Sequence, residues 1–147
     1  IRRAVEVFPT PRTPVSRKAC ASLSRLIALP RVVTMAGDTI FARILRGEIP
    51  CDEVYSDDSC LAFRDVAPAA PVHVLVIPRK PLESLRQAEK GDEELLGHLL
   101  IVAAKVAKQE GLSDWRTVIN SGEGAGQTVF HLHVHVIGGR SLEWPPG

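Results

Sequence analysis

Asn120-Ser-Gly-Glu-Gly-Ala-Gly-Gln-Thr-Val-Phe-His-Leu-His-Val-His-Val-Ile-Gly-Gly-Arg140 is the stretch whose reading decides the fold. His131, His133 and His135 stand two residues apart, and Leu132, Val134 and Val136 fill the places between them. Strict alternation is the period of a β-strand, with imidazoles on one face and aliphatics on the other. At a rise of about 3.4 Å per residue, neighbouring imidazoles on such a strand lie about 7 Å apart, so one small ligand reaches more than one of them. A helix would scatter the same side chains around its circumference, and the expected element is therefore a strand over Phe130–Ile137.

The residues before the histidines carry the second half of the signal. Gly122, Gly124 and Gly126 form a loop whose successive backbone N–H groups can close around an anion. Gln127 and Thr128 add side-chain donors just ahead of the strand. A strand follows this loop, where a nucleotide-binding P-loop or dinucleotide fold would place a helix, and there is no Gly-Lys-Ser/Thr. Alone the glycines are an ordinary turn; joined to three imidazoles on one face they point to a phosphate group.

His131-Leu-His133-Val-His135-Val-Ile is similar to the alternating histidine–apolar motif of the histidine-triad proteins. Gly126-Gln127-Thr128-Val129-Phe130 and Gly138-Gly139-Arg140, with the terminal Trp144-Pro145-Pro146-Gly147, resemble the Hint branch, the nucleoside phosphoramidases and adenylyl hydrolases. The resemblance runs from about Asp38 to Gly147, and residues 1–34 share none of it. It implies an α+β fold, an antiparallel sheet with one long and one or two short helices. It also implies hydrolysis of purine nucleoside 5′-phosphoramidates and related adenylates through a nucleotidyl-histidine, with no cofactor and no metal.

Carried residue by residue, the resemblance makes His133 the nucleophile. His135 and Thr128 contact the α-phosphate, Asn120 helps to seat it, and His131 and His73 orient His133 from behind. Hint proteins usually carry Ser where Thr128 stands; the hydroxyl is kept and a methyl is added. Phe63, Asp65 and Val66 match the nucleoside pocket, with Phe41, Ile44 and Leu75 beside them. Asp65 is the carboxylate for the ribose hydroxyls. Gly126 and Gln127 belong to the phosphate loop, and Trp144 matches a segment that reaches the partner's active site in a homodimer.

The chemistry of the residues agrees with that role. Neutral imidazole, with a pKa near 6.5, suits nucleophilic attack at neutral pH. Attack at phosphorus also needs donors to the nonbridging oxygens, which Gln127, Thr128, Asn120 and a flanking imidazole can supply. Two other readings stay open at this stage. Imidazoles two apart on a strand also ligate zinc, as in a metal-dependent phosphohydrolase, although no carboxylate stands beside them in the sequence. A non-catalytic nucleotide-binding module is the other.

The rest of the chain fits one domain. Its 147 residues are 45% hydrophobic, enough for an ordinary core, and no apolar run approaches a membrane span of about 20 residues. The net charge of +1 argues against a general nucleic-acid binder, but the charge is unevenly spread. Residues 1–34 carry seven Lys/Arg and one acid, Glu6, and residues 35–147 carry eleven basic and sixteen acidic side chains. The leader, with Pro9, Pro11, Pro14 and Pro30 and a basic amphipathic stretch at Arg17–Leu29, fits an organelle presequence for mitochondrion or chloroplast. A disordered tail, or translated sequence upstream of Met35, fits the same composition. Cys20, Cys51 and Cys60 are odd in number and lack metal spacing, which fits a reduced intracellular, cytoplasmic setting.

Along the body, Asp38 is expected to cap a helix over Thr39–Arg46. Glu53–Ser56 and Cys60–Arg64 read as a hairpin turning at Asp57-Asp58-Ser59, and Val72–Ile77 as an apolar strand interrupted by His73. Leu82–Ala88 is a turn or short helix. Asp92–Glu110 has a helix-period stripe at Leu95, Leu96, Leu99, Leu100, Val102, Ala103 and Val106. Arg116–Asn120 is a further strand. His98, on the long helix, is given no chemistry.

Overall fold

The computed structural model describes residues 38–147. The expected presequence and its basic stretch at Arg17–Leu29 lie outside the described residues. The described chain opens on α1 (Ile40–Leu45). Its cap is Thr39, in extended backbone, whose hydroxyl accepts the Ala42 N–H at 3.1 Å. Asp38, the cap expected from sequence, accepts instead from the Arg46 guanidinium at 2.7 Å.

The hairpin forms as expected from β1 (Glu53–Ser56) and β2 (Cys60–Arg64), and β3 (Val72–Pro78) pairs with β2. Two short 3-10 turns, Leu85–Gln87 and Lys90–Asp92, lead into the long helix α2 (Glu93–Gln109). β4 (Trp115–Val118) and β5 (Val134–Gly138) follow, separated by the glycine loop. The five strands form one antiparallel sheet in the order β1-β2-β3-β5-β4. The fold is thus α+β, as the resemblance implies.

Two expected boundaries moved. β4 ends at Val118, and β5 begins at Val134, four residues later than the alternation suggested. The chain just before β5 bonds elsewhere: the Leu132 N–H donates to the Leu82 carbonyl at 2.6 Å, and the His131 carbonyl accepts from the His133 ring. His131 and His133 therefore precede the strand, although the side-chain alternation continues through them.

That alternation sorts the sheet into two faces. Cys60, Ala62, Val74, Val76, Val134 and Val136 pack beneath Leu99, Val102, Ala103, Val106 and Ala107 of α2, with Leu132 in the same cluster. Leu61, Phe63, Leu75 and Ile77 pack on the other side with Phe41 and Ile44 of α1 and with Ile49. Burying each large side chain here stabilises the fold by about 1.5–3 kcal/mol. His73 alternates with the α2-facing valines of β3, and its register partner is Ile137; Leu75 lies opposite His135. The short helix therefore covers the histidine face. Outside this core, α2 leaves Leu100 48% and Ile101 70% exposed. Among the described residues no helix is long and apolar enough to cross a membrane.

Candidate active site

His131, His133 and His73 are buried, at 4%, 5% and 8% exposure, and His135 is partly so. The His133 and His135 ring centres lie 4.8 Å apart, closer than the strand spacing suggested, because His133 stands outside the strand. Phe41 of α1 presents an edge to His133 at 5.2 Å and to His131 at 6.3 Å.

Hydrogen bonding fixes where each proton sits. A backbone carbonyl only accepts, so His133 Nδ1, 2.7 Å from the His131 carbonyl, carries the ring proton. In the neutral ring its Nε2 is then a bare lone pair. His131 Nε2 donates in the same way to the Pro78 carbonyl at 2.8 Å.

A second chain of bonds sets His135. The Ala69 N–H donates to His73 Nδ1 at 3.0 Å, so the His73 proton is on Nε2. That proton is donated to His135 Nδ1 at 2.9 Å, which places the His135 proton on its own Nε2. This Nε2 is buried and has no partner among the described residues. A lone pair on His133 and an unused donor on His135 thus stand side by side. Such a pairing is chemically able to attack an electrophilic centre while donating to one of its oxygens.

Burial lowers the pKa of all four imidazoles. Desolvation is the largest cause for His131 and His133, and for His135, which is brought to about 4 with its imidazole neighbours adding to the effect. His73 is lowered by burial, against the pull of Asp65. The cluster is neutral at pH 7.

The glycine loop is built to a close tolerance. Gly122 and Gly126 have φ of +96° and +88°, a region that favours glycine. A Cβ on Gly122 would lie 2.6 Å from the Arg86 guanidinium. Asn120 is half-buried with its amide beside Gly126, and Thr128 is exposed. Gln127 turns inward. Its Oε1 accepts the Gly122 N–H at 2.8 Å, and its Nε2 donates to the carbonyls of Glu83 and Val129 at 2.7 and 3.0 Å. Its own N–H donates to the Gly122 carbonyl. Both groups expected to face an anion are spent on holding the loop shut.

The nucleoside positions divide. Asp65, at the end of β2, has its carboxylate 3.5 Å from His73 Nε2 and accepts the Ala67 N–H. Val66 is half-buried nearby. Phe63 is 2% exposed and meets Phe41 edge-on at 5.6 Å, forming a floor beneath it. Trp144 is 83% exposed, and no contact joins it to the imidazoles of its own chain among the described residues.

Three features escaped the sequence reading. The carboxylate judged missing beside the histidines is Asp65, brought there by strand pairing, and Asp65, His73 and His135 offer ligand atoms within 4.8 Å of one another. Ser121 has a buried hydroxyl without a partner among the described residues; its place between Asn120 and Gly122 was the available signal. His98 holds Asp57 at 2.7 Å. A cavity of about 590 Å³ lined by Leu112, Trp115, Arg116 and Arg140 also lies in the described chain, and no histidine lines it.

A five-stranded antiparallel sheet carries clustered imidazoles beside a glycine loop, and together they make a candidate histidine-based site. The model of the HIT domain matches residues 46–142, and the chain belongs to this histidine-triad family. It is 60% identical over 114 residues to an uncharacterised HIT-like protein of Synechococcus elongatus, and to one of Synechocystis, covering 77% of this chain and all of each relative. Among solved structures it is similar to a HIT family hydrolase from Legionella pneumophila, 46% identical with a TM-score of 0.73, over 75% of this chain and 100% of the other. A histidine triad protein from Clostridium difficile is 39% identical, with a TM-score of 0.70, over 75% and 97% of the two chains.

Proposed function

We propose that this chain is a nucleotide hydrolase of the Hint branch, cleaving the P–N bond of purine nucleoside 5′-phosphoramidates and related adenylates to release AMP or GMP. The observation that carries this reading is the proton assignment at the paired histidines: His133 offers a lone pair and His135 an unpartnered donor. His133 Nε2 attacks the α-phosphorus, the P–N bond breaks, and the leaving nitrogen takes up a proton from solvent. Water then attacks phosphorus, the P–Nε2 bond breaks, and His133 is regenerated with release of the nucleoside monophosphate.

The other residues fall into supporting roles. His135 and Thr128 hold the phosphate oxygens, with Asn120 and the backbone around Gly126 at the loop. Gln127 acts through the shape of that loop. His131 fixes the His133 ring through its carbonyl, and His73 fixes the His135 tautomer. Asp65 takes the ribose hydroxyls, with Phe63 and Val66 behind the base. The exposed Leu100 and Ile101 on α2 support a homodimer, in which Trp144 of one subunit reaches the other's site. The odd number of cysteines favours an intracellular setting, cytoplasmic unless residues 1–34 direct the chain to an organelle.

A metal-dependent hydrolase is the second reading, favoured by the grouping of Asp65, His73 and His135. In the described geometry, though, the facing nitrogens of the two rings are spent on one another. Turnover of an adenosine phosphoramidate, with and without chelator, separates the two. Chelator-insensitive release of AMP with a transient gain of one nucleoside monophosphate on the intact chain supports the first reading. Chelator-sensitive turnover with no adduct overturns it.

A further inference from the structure

Asp57, in the β1–β2 turn, gathers partners from three directions. Its Oδ1 accepts the N–H groups of Ser59 and Cys60, both at 2.8 Å. Its Oδ2 accepts the Tyr55 hydroxyl at 2.9 Å and the His98 Nε2 proton at 2.7 Å. Cys60, the first residue of β2, is fully buried with its thiol against the same carboxylate. One sulfur, one imidazole nitrogen and one carboxylate oxygen lie within 4.8 Å of one another. This cluster is on the α2 side of the sheet, and the active-site imidazoles are on the α1 side.

We propose that Asp57, Cys60 and His98 form a binding site for one zinc-like divalent metal ion that ties the β1–β2 hairpin to α2. Tetrahedral zinc, with bonds of about 2.0–2.3 Å, sets its ligand atoms about 3.3–3.8 Å apart. The His98–Asp57 contact must open by roughly half an ångström, and neighbours as far as 4.8 Å must close. The His98 side chain is 39% exposed, which gives the ring room to adjust, the ion a path in, and a water the fourth position. A mixed sulfur, nitrogen and oxygen set selects zinc or cobalt over magnesium and calcium, which take oxygen ligands. The supports for the carboxylate are already in place, in the Tyr55 hydroxyl and two backbone N–H groups, with Lys105 seated over the Tyr55 ring at 4.2 Å.

The proton balance is simple. The Cys60 thiol loses its proton to solvent as the S–metal bond forms. The His98 proton leaves Nε2 and is replaced on Nδ1 through solvent, so one proton is released per ion. Burial and the neighbouring Asp57 charge push the Cys60 thiol up to about 12, so the thiol holds its proton until an ion binds.

The test uses the full chain freed of metal by chelator and titrated with cobalt(II) alone, then zinc(II). The expected result is one cobalt per chain, a thiolate-to-cobalt charge-transfer band, release of one proton, and displacement by zinc. Cys60→Ser should remove the band. Because Cys60 is in the core, the partly exposed His98→Gln carries the test if that variant fails to fold: its affinity should fall at least tenfold, and zinc should raise the melting temperature of the wild type but not of His98→Gln. His133→Ala should keep the band. A wild type with no thiolate band, a band unchanged in His98→Gln, or a band lost in His133→Ala would overturn the proposal.

Discussion

The molecule holds histidine in two opposite ways, one on each face of the sheet. On the α1 face, His131 and His133 are buried beside Phe41, His135 is partly buried, and the nearby carboxylate, Asp65, stands 3.5 Å from His73. On the α2 face, the partly exposed His98 makes a 2.7 Å bond to Asp57. Burial works to raise the Asp57 pKa, but hydrogen bonds from His98, Ser59, Cys60 and Tyr55 outweigh it and hold the carboxylate well below its usual range. Burial that outweighs a nearby carboxylate yields neutral imidazoles whose tautomers are set by backbone groups and by one another. A carboxylate in contact makes the imidazole part of a clamp between a turn and a helix.

The largest effect that would break this contrast is at His133. His133→Ala should lower turnover by a factor of about 10⁴ or more, because its lone pair acts as part of a unit. Nucleotide affinity should change little, since the loop stays in place. Single-turnover kinetics with a binding titration check both parts, and substantial activity in the variant would remove His133 from the chemistry.

On the other face, Asp57→Ala should leave turnover near the wild-type value and cost stability. It removes the acceptor of several hydrogen bonds, each lost partner costing about 1–3 kcal/mol where it stays unsatisfied. Denaturant unfolding of the metal-free chain measures this. Lost activity with unchanged stability would mean that the two faces are not separate.

The pH response sharpens the difference. The α1-face histidines have folded pKa values below their unfolded value near 6.5, so the unfolded chain binds protons more readily. Their stabilising contribution is present above about pH 6.5 and is lost as the pH falls through the folded values, to about 4 for His135. Melting temperature should decline over that window, with a smaller decline in His135→Asn. Turnover should fall over the same window as His133 takes up a proton. A flat profile between pH 6.5 and 4 would mean that these rings are wet.

The smallest effect is expected from the leader. We propose that residues 35–147 form the HIT domain and residues 1–34 a separate segment. Removing residues 1–34 should leave both melting and turnover nearly unchanged; loss of a cooperative melt would move that boundary.

Much of this was legible in the sequence, since period-two alternation is a property of side-chain direction. It put Leu132, Val134 and Val136 in one core and the histidines on the opposite side. The start of β5 was not legible, because it depends on the Leu132 N–H finding the Leu82 carbonyl, fifty residues earlier in the chain. Gln127 looked like a phosphate ligand by its neighbours, and only the folded loop reveals that its amide bridges Gly122, Glu83 and Val129. Asp65 and His98 belong to the same class of omission: their partners, His73 and Asp57, are brought together by strand pairing and helix packing.

The cover on the histidine face is a helix of six residues, too short to hold its shape in water by itself. Its order depends on Phe41 and Ile44 being seated in the core, and the Phe41 edge is also what faces His133. Amide exchange at these two residues is therefore a measure of how dry the His133 ring is. Slow exchange there means that water reaches His133 only when the helix lifts; under the proposed mechanism, the lifetime of a nucleotide on that ring would be bounded by how often it does.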